Sequence, residues 1–134
     1  MSNTKATGVA YLDPEFSTCY ATEELGYAPA AQGTVTQLTS KSTAVILNKS
    51  MGRITMNNAT LAGGVTATFT LTNSLISAND VVVVSVSGGG TAGAYWPFVA
   101  SQTTGSAVLA LYNNSGGDLS EAVILNFAVI HGAS

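Results

Sequence analysis

A run of valines is the feature that most constrains the fold of this chain. Positions 81–86 hold five valines and one serine, and three glycines follow at 88–90. Five β-branched residues in six positions favour an extended strand, and the glycines end it before a helix of ordinary length could form. A strand that is apolar on both faces is typical of the interior of a sheet. We therefore expect residues 80–87 to form the central strand of an all-β domain.

The sequence from Gly33 onward repeats a pattern of short strands and turns. Phe69 and Leu71 alternate with Thr70 and Thr72, so one face of that strand is predicted to be core and the other solvent-exposed. Clusters of Ser, Asn and Gly separate the apolar segments. This rhythm predicts that residues 33–134 form a single jelly-roll-like β-sandwich of about eight strands. The expected strands are 34–39, 43–48, 51–56, 65–73, 80–87, 93–100, 106–113 and 121–131, and residues 75–78 are expected to form a single helical turn.

Two of these strands carry signals about their position. Pro97 cannot donate to a ladder, which predicts an edge strand or a bulge at 93–100. Trp96 and Phe98 share one face of that strand, either as ordinary core side chains or as an exposed aromatic pair that contacts another subunit. The strand 121–131 is apolar on both faces, so its surplus must be covered by the N-terminal arm (residues 1–32), by a second subunit or by a central position. Oligomerisation is an expected consequence.

Residues 1–32 have a different composition and are predicted to form an extended N-terminal arm. The segment has no sustained period, is broken by Pro14, Gly26 and Pro29, and carries the whole excess of acidic residues, with a short helical turn expected at 22–25. It is too rich in large apolar side chains for a disordered tail. We expect an ordered arm that lies on a sister subunit or a larger partner; the alternative is an arm that folds back over its own sandwich. The candidate partner-binding residues of the arm are Tyr11, Leu12, Phe16, Tyr20, Leu25 and Tyr27.

The composition argues against several classes of function. Only 8% of the residues are charged, where about 25% is usual, while Ser and Thr number 31, so the surface is built from hydroxyl and amide groups. With four Lys and Arg in all, the chain has no basic stripe for nucleic acid. No apolar stretch of membrane-spanning length and no signal peptide follows Met1, so we expect a protein made in the cytoplasm that contacts no membrane.

Candidates for chemistry are few. His131 is the single histidine and Cys19 the single cysteine, and neither has a partner at metal-ligand or catalytic spacing. The loop 113–118 has oxygen ligands but matches no calcium-loop pattern, and the glycines at 88–90 precede no lysine that would make a phosphate-binding loop. We therefore predict that the chain is not an enzyme and uses no cofactor and no metal.

Several segments together resemble a known type of domain. These are Gly-Thr-Val-Thr-Gln-Leu-Thr-Ser-Lys-Ser-Thr at 33–43, Leu-Asn-Lys at 47–49, Gly-Arg-Ile-Thr-Met at 52–56, Phe-Thr-Leu-Thr-Asn-Ser at 69–74, Asp-Val-Val-Val at 80–83, Asn-Ser-Gly-Gly at 114–117 and Glu-Ala-Val-Ile-Leu-Asn-Phe-Ala-Val-Ile at 121–130. They resemble a small β-domain that recurs in structural proteins of tailed bacteriophages, over about residues 33–131. Because the domain stands behind an arm and carries no fibre or coiled-coil repeat, it is most similar to capsid cement, or decoration, proteins.

The resemblance implies a jelly roll that forms a homotrimer on the outer surface of an icosahedral virion shell. Its partners would be the major capsid protein and further copies of itself, and its role would be to stabilise the shell. Two other functions stay open. One is a receptor-binding or glycan-binding head of a tail fibre or tail tip, which would use exposed aromatic residues such as Trp96. The other is a carbohydrate-binding module, which gives no reason for the arm.

Overall fold

The computed structural model describes residues 15–133 and shows an all-β fold over this range. Each of the eight expected strands forms, within a few residues of its expected bounds. The strands are β1 (Gln32–Thr36), β2 (Val45–Ile46), β3 (Met51–Thr55), β4 (Thr66–Thr72), β5 (Val81–Gly88), β6 (Tyr95–Thr103), β7 (Ser106–Asn113) and β8 (Ile124–Ile130).

The strands form two four-stranded sheets. The first sheet has the order β1-β3-β8-β5 and the second the order β2-β4-β7-β6, so nearly every connection crosses between the sheets. The exception is the β6–β7 hairpin, whose turn contains Gly105 at a φ of 86°. β1 pairs with β3, and β2 with β4, in parallel, whereas the other neighbours are antiparallel. The fold is therefore a β-sandwich; a jelly roll is built from antiparallel Greek keys, so its connectivity is not confirmed by this strand order.

The core lies between the two sheets and follows from strict alternation along their inner strands. Leu125, Phe127 and Val129 of β8 are buried, and they belong to one apolar cluster with Leu109 and Leu111 of β7. Side chains of opposite parity on the same strands point outward and are more exposed. Both sheets therefore contribute one apolar face to a shared core, as the alternation predicted.

Gly52 shows how tightly β3 packs against this core. A Cβ atom added there would lie 2.5 Å from side-chain atoms of both Leu47 and Phe127. Real Cβ atoms do not approach other atoms so closely, so the ring of Phe127 occupies the space that a side chain at this position would need.

The expectation that residues 80–87 form a central strand is wrong. β5 is an edge strand, and Val81 and Val83 are exposed, because only alternate valines of the run face the core. The interior position belongs to β8, which lies between β3 and β5, so both edges of that strand are paired. β-branching favours a strand on any part of a sheet, so the valine run indicated the strand but not its neighbours.

The expectation for Pro97 is confirmed. β6 is the edge strand of the second sheet, and its register against β7 shifts between Val99 and Ser101, which marks a bulge. Neither of the expected single helical turns forms. Residues 75–78 lie in hydrogen-bonded turns, and 22–25 contain only a bend, while a short 3₁₀ helix spans Pro29–Ala31, where proline occupies the first helical position.

Candidate functional site

Trp96 and Phe98 lie on the outward face of β6 and are not core residues. Their exposed fractions are 56% and 45%, whereas Tyr95 between the sheets is buried. The sequence left open whether the pair was core or exposed, and the structure shows that both side chains are exposed. The reason is the parity of the strand: Tyr95 and the half-buried Pro97 and Val99 take the inner side, which leaves the alternate residues outside.

Tyr112 of β7 joins these two residues and completes what we call the aromatic face, defined by Trp96, Phe98 and Tyr112. Trp96 and Tyr112 are paired across neighbouring strands, and their ring centroids lie 5.7 Å apart at an interplanar angle of 47°. Phe98 pairs with Ala110, which is outward by parity yet fully buried. A small residue under larger neighbours gives a continuous apolar surface on one side of the sheet. Such surfaces mark interaction sites on soluble proteins.

The threonines of β4 border the aromatic face. Thr66 pairs with Tyr112 and Thr68 pairs with Ala110, so the hydroxyl row lies directly beside the rings. A surface with aromatic rings at its centre and hydroxyl groups at its rim has the composition of a protein contact site. The patch carries no charged side chain on β4, β6 or β7.

The arm residues fall into two groups in the part of the chain that the structure describes. Phe16, Tyr20 and Leu25 are 68%, 89% and 90% exposed, so the rest of residues 15–133 leaves them largely uncovered. Tyr27 is half-buried, and its hydroxyl donates a hydrogen bond to the carbonyl of Val129 on β8. Tyr11 and Leu12 lie outside the described residues. The base of the arm is thus attached to the sandwich, while the side chains before it are free to bind.

The first sheet also has an outward apolar surface, of which the sequence predicted the part on β8 but not the part on β5. Val81 and Val83 of β5 and Ile130 of β8 are 58%, 49% and 58% exposed, and Ala128 and Met51 continue the row toward β3. We call these five residues the valine face. The prediction came from the alternation of β8, whose second apolar face was expected to be covered by the arm, by another subunit or by a central position. A central position covers the edges of the strand but not its outward side chains.

A groove of about 390 Å³ lies beside the valine face, between β1, β3 and β8. Arg53 and Asn126 line it as direct neighbours on β3 and β8. The Oδ1 atom of Asn126 is buried and accepts no hydrogen bond from any described residue. A buried acceptor without a donor is costly, so a hydrogen-bond donor beyond the described residues is expected at this atom.

One end of the sandwich holds a cluster of ionisable groups that lock the loops together. The Nζ atom of the buried Lys41 donates to the backbone carbonyls of Asn57 and Glu121. The Glu121 carboxylate accepts bonds from the backbone amide and the hydroxyl of Thr91 and from the hydroxyl of Tyr95, at 2.8 to 3.0 Å. Four loops or strand ends meet in these contacts.

This cluster is not suited to acid–base chemistry near neutral pH. The hydrogen bond from the Thr91 amide, and then that from Tyr95, hold the pKa of Glu121 below its ordinary value. Burial, followed by the bond to Glu121, raises the pKa of Tyr95. Burial lowers the pKa of Lys41, and the nearby Glu121 opposes that shift. Glu121 is thus a weak base and Tyr95 a weak acid, the reverse of what proton transfer requires.

A second cluster of ionisable groups ties the C-terminal end of β8 to the start of β5. Asp80 is buried and accepts hydrogen bonds from the backbone amides of Ser77 and Gly132, and His131 Nδ1 lies 3.1 Å from its Oδ2. The bond from the Ser77 amide, against the opposing effect of burial, lowers the pKa of Asp80 to about 2. Each of these groups stabilises a turn, so the cluster has a structural role.

Metal and membrane sites were sought as well. Residues 15–133 contain no group of three His, Cys, Asp or Glu side chains positioned to hold a metal ion. No helix in the same range has the length and apolar character needed to cross a membrane.

Comparison with known proteins gives no assignment. No family model, no curated protein and no solved structure matches the chain. The aromatic face, the arm and the valine face are therefore the features of the molecule that bear on its function.

Proposed function

We propose that this chain is a structural protein of a bacteriophage virion, a cement or decoration protein that binds the outer surface of the icosahedral shell and stabilises it. The proposal combines the resemblance of residues 33–131 to small domains of phage structural proteins with the surfaces of the sandwich. Its partners are the major capsid protein and further copies of the chain, in a homotrimer. It does not depend on jelly-roll connectivity, since any sandwich with these surfaces serves.

The aromatic face is the observation that carries the proposal. Trp96, Phe98 and Tyr112 form an uncharged apolar surface beside a row of threonines, and aromatic anchors of this kind dominate the binding energy of protein interfaces. The exposed arm residues Phe16 and Tyr20 add a second contact region. Two apolar surfaces on a chain with few charges favour attachment to protein rather than catalysis.

Stabilisation of a shell follows from mass action. A protein that binds the assembled shell but not its separated subunits lowers the free energy of the assembled state by RT ln(1 + [L]/Kd) for each site. Weak contacts suffice because many copies act on one particle. The arm and a sheet face belong to the same chain. Once one of them has bound the shell, the other is held close to it and binds at a high effective concentration.

The test is binding of the purified protein to shells that lack it. Shells are incubated with increasing protein, sedimented, and analysed for bound protein, and their thermal disruption is followed in parallel. The proposal predicts saturable binding and a higher disruption temperature at saturation. Absence of binding, or binding without any change in shell stability, contradicts it.

A second candidate is a receptor-binding or glycan-binding head on a tail fibre, and the exposure of Trp96 beside Tyr112 favours it specifically. Aromatic rings on an open sheet face offer a stacking surface to a sugar ring as well as to a protein. A glycan array and a host-adsorption assay with the purified protein distinguish the two candidates. Specific glycan binding that disappears in Trp96→Ala, without shell binding, would establish the second candidate in place of the first.

A further inference from the structure

We propose that the arm of one copy docks on the valine face of a second copy, so that residues 15–25 connect neighbouring subunits. The inference concerns contacts between copies of this chain and needs no shell. It identifies the arm as the segment that covers the first sheet, while the aromatic face on the second sheet stays available for another partner.

Both halves of the contact are present and uncovered on one chain. The valine face offers exposed Val81, Val83 and Ile130, and the arm offers exposed Phe16, Tyr20 and Leu25. Apolar side chains left exposed on both a segment and a surface favour a contact in which each copy covers its neighbour, because both apolar surfaces are then removed from water.

The charges on the two surfaces are complementary. Of the three Lys and Arg residues that the structure describes, Lys41 is buried, Lys49 is half-buried with its Nζ bonded to Ala30, and Arg53 is exposed beside the valine face. The arm segment carries three exposed glutamates and no cation, at Glu15, Glu23 and Glu24. An acidic, aromatic segment therefore meets the surface of the sandwich that has both apolar side chains and an exposed cation.

The groove contains a hydrogen-bond acceptor that an extended segment could satisfy. Arg53 and Asn126 are neighbours at the edge of the valine face, and the Oδ1 atom of Asn126 has no donor. An extended chain presents backbone N–H groups that no helix or sheet of its own satisfies. Such a group, after a small rotation of the amide, gives Asn126 the donor that residues 15–133 do not provide.

Tyr27 places the base of the arm beside the valine face, yet the described arm residues before it do not cover that face. Its hydroxyl is bonded to Val129 at the end of β8, which fixes the base of the arm beside the valine face. Leu25, two residues earlier, is nevertheless 90% exposed, so the chain leaves the face without covering it. A contact in which the arm of each copy binds the face of the next is heterologous, and such contacts close into rings when the rotation permits. This is the kind of contact that a trimer uses.

Photo-crosslinking between isotopically distinct copies tests the inference. Tyr20 is replaced with p-benzoylphenylalanine in the full-length chain, and equal amounts of ¹⁴N-labelled and ¹⁵N-labelled protein are unfolded and refolded together before irradiation. Mass spectrometry then maps each crosslink and shows whether it joins chains of different labels. The same photoreactive residue at Leu38, an exposed position in the loop after β1, is the control.

We expect crosslinks from position 20 to residues 81–86 or 126–130, and about half of them should join a light to a heavy chain, the share that random mixing of exchanged copies gives. Position 38 should give none at these residues. Crosslinks that reach the valine face only within one chain would show that the arm folds back, and they would overturn the inference. Crosslinks to other surfaces, or a monomer without crosslinks, would overturn it as well.

A matched pair of variants provides the second measurement. Val83→Asp places a carboxylate on the valine face and should lower the yield of mixed crosslinks at least about tenfold, because that charge would be buried against an acidic segment. Val65→Asp changes a valine of similar exposure at the start of the β4 region and should leave the yield unchanged. Circular dichroism confirms that both variants are folded. An equal effect of the two substitutions would contradict the assignment, and neither result bears on shell binding.

Discussion

Replacing Trp96 with alanine separates binding from stability on the aromatic face. Trp96 is 56% exposed, so somewhat less than half of its side chain is buried within its own chain. For a residue that can bury about 200 Å², this is roughly 90 Å², or about 2 kcal/mol at 25 cal/mol per Å², including its contact with Tyr112. The variant should stay folded, since a domain of this size has a stability of about 5–15 kcal/mol, and its Tm should fall by roughly 8 °C.

The effect of Trp96→Ala on shell binding should be at least as large as its effect on the fold. A central aromatic anchor contributes at least about 2 kcal/mol to an interface, which corresponds to a Kd about 30-fold higher. Sedimentation of the variant with shells over a range of concentrations measures this change, and thermal unfolding measures the stability of the same sample.

Leu38→Ala is the control for this experiment. Leu38 is 84% exposed but lies in the loop after β1, away from the aromatic face, so its truncation should change neither the Kd nor the Tm. Shell binding of Trp96→Ala at the wild-type Kd, by protein shown to be folded, would refute the assignment of the aromatic face as the contact.

Three further predictions concern the fold and the base of the arm. Gly52→Ala should lower the unfolding free energy, measured in urea, by about 1–3 kcal/mol because the new Cβ would overlap the core. Gly117→Ala is the control: a Cβ there would have no atom within 4 Å, so the unfolding free energy should stay unchanged. Equal effects of the two substitutions would contradict the packing of β3. Tyr27→Phe should cost about 0.5–1.5 kcal/mol in thermal unfolding through loss of the bond to Val129, and no loss would show that this attachment is absent. The pKa of Asp80 is about 2, against an ordinary value of 3.8. The ionised carboxylate therefore stabilises the fold fully at pH values above 3.8, and this contribution disappears as the pH falls toward 2. A pH series of unfolding curves should show this loss in the wild type and a weaker dependence in Asp80→Asn.

The strands were predictable from the sequence because they depend on local chemistry. β-branched runs and alternation marked all eight, and the missing N–H of Pro97 indicated that β6 is an edge strand. The order of the strands was not predictable in the same way. The valine run of β5 has the composition of an interior strand, yet it lies at an edge, because the position of a strand depends on its partners and not on its own propensity.

The candidate site was predictable in part. Trp96 and Phe98 were identified as candidate partner-binding residues, but whether they were core or exposed depended on the parity of β6, which a bulge and a proline obscured. Tyr112 was missed because its role depends on which residues of β6 and β7 face each other, and the bulge between Val99 and Ser101 hides that register in the sequence. Asn126 gave no signal at all, since an unsatisfied acceptor is visible only when its neighbours are in place.

The copy number of this protein in purified virions tests the central claim most directly. Quantitative mass spectrometry against the major capsid protein, with light scattering of the free protein, gives the ratio of the two chains and the size of the free oligomer. The account predicts a ratio near one to one and a free trimer. A handful of copies per particle would contradict a role on the shell and would assign the protein, and its aromatic face, to the tail.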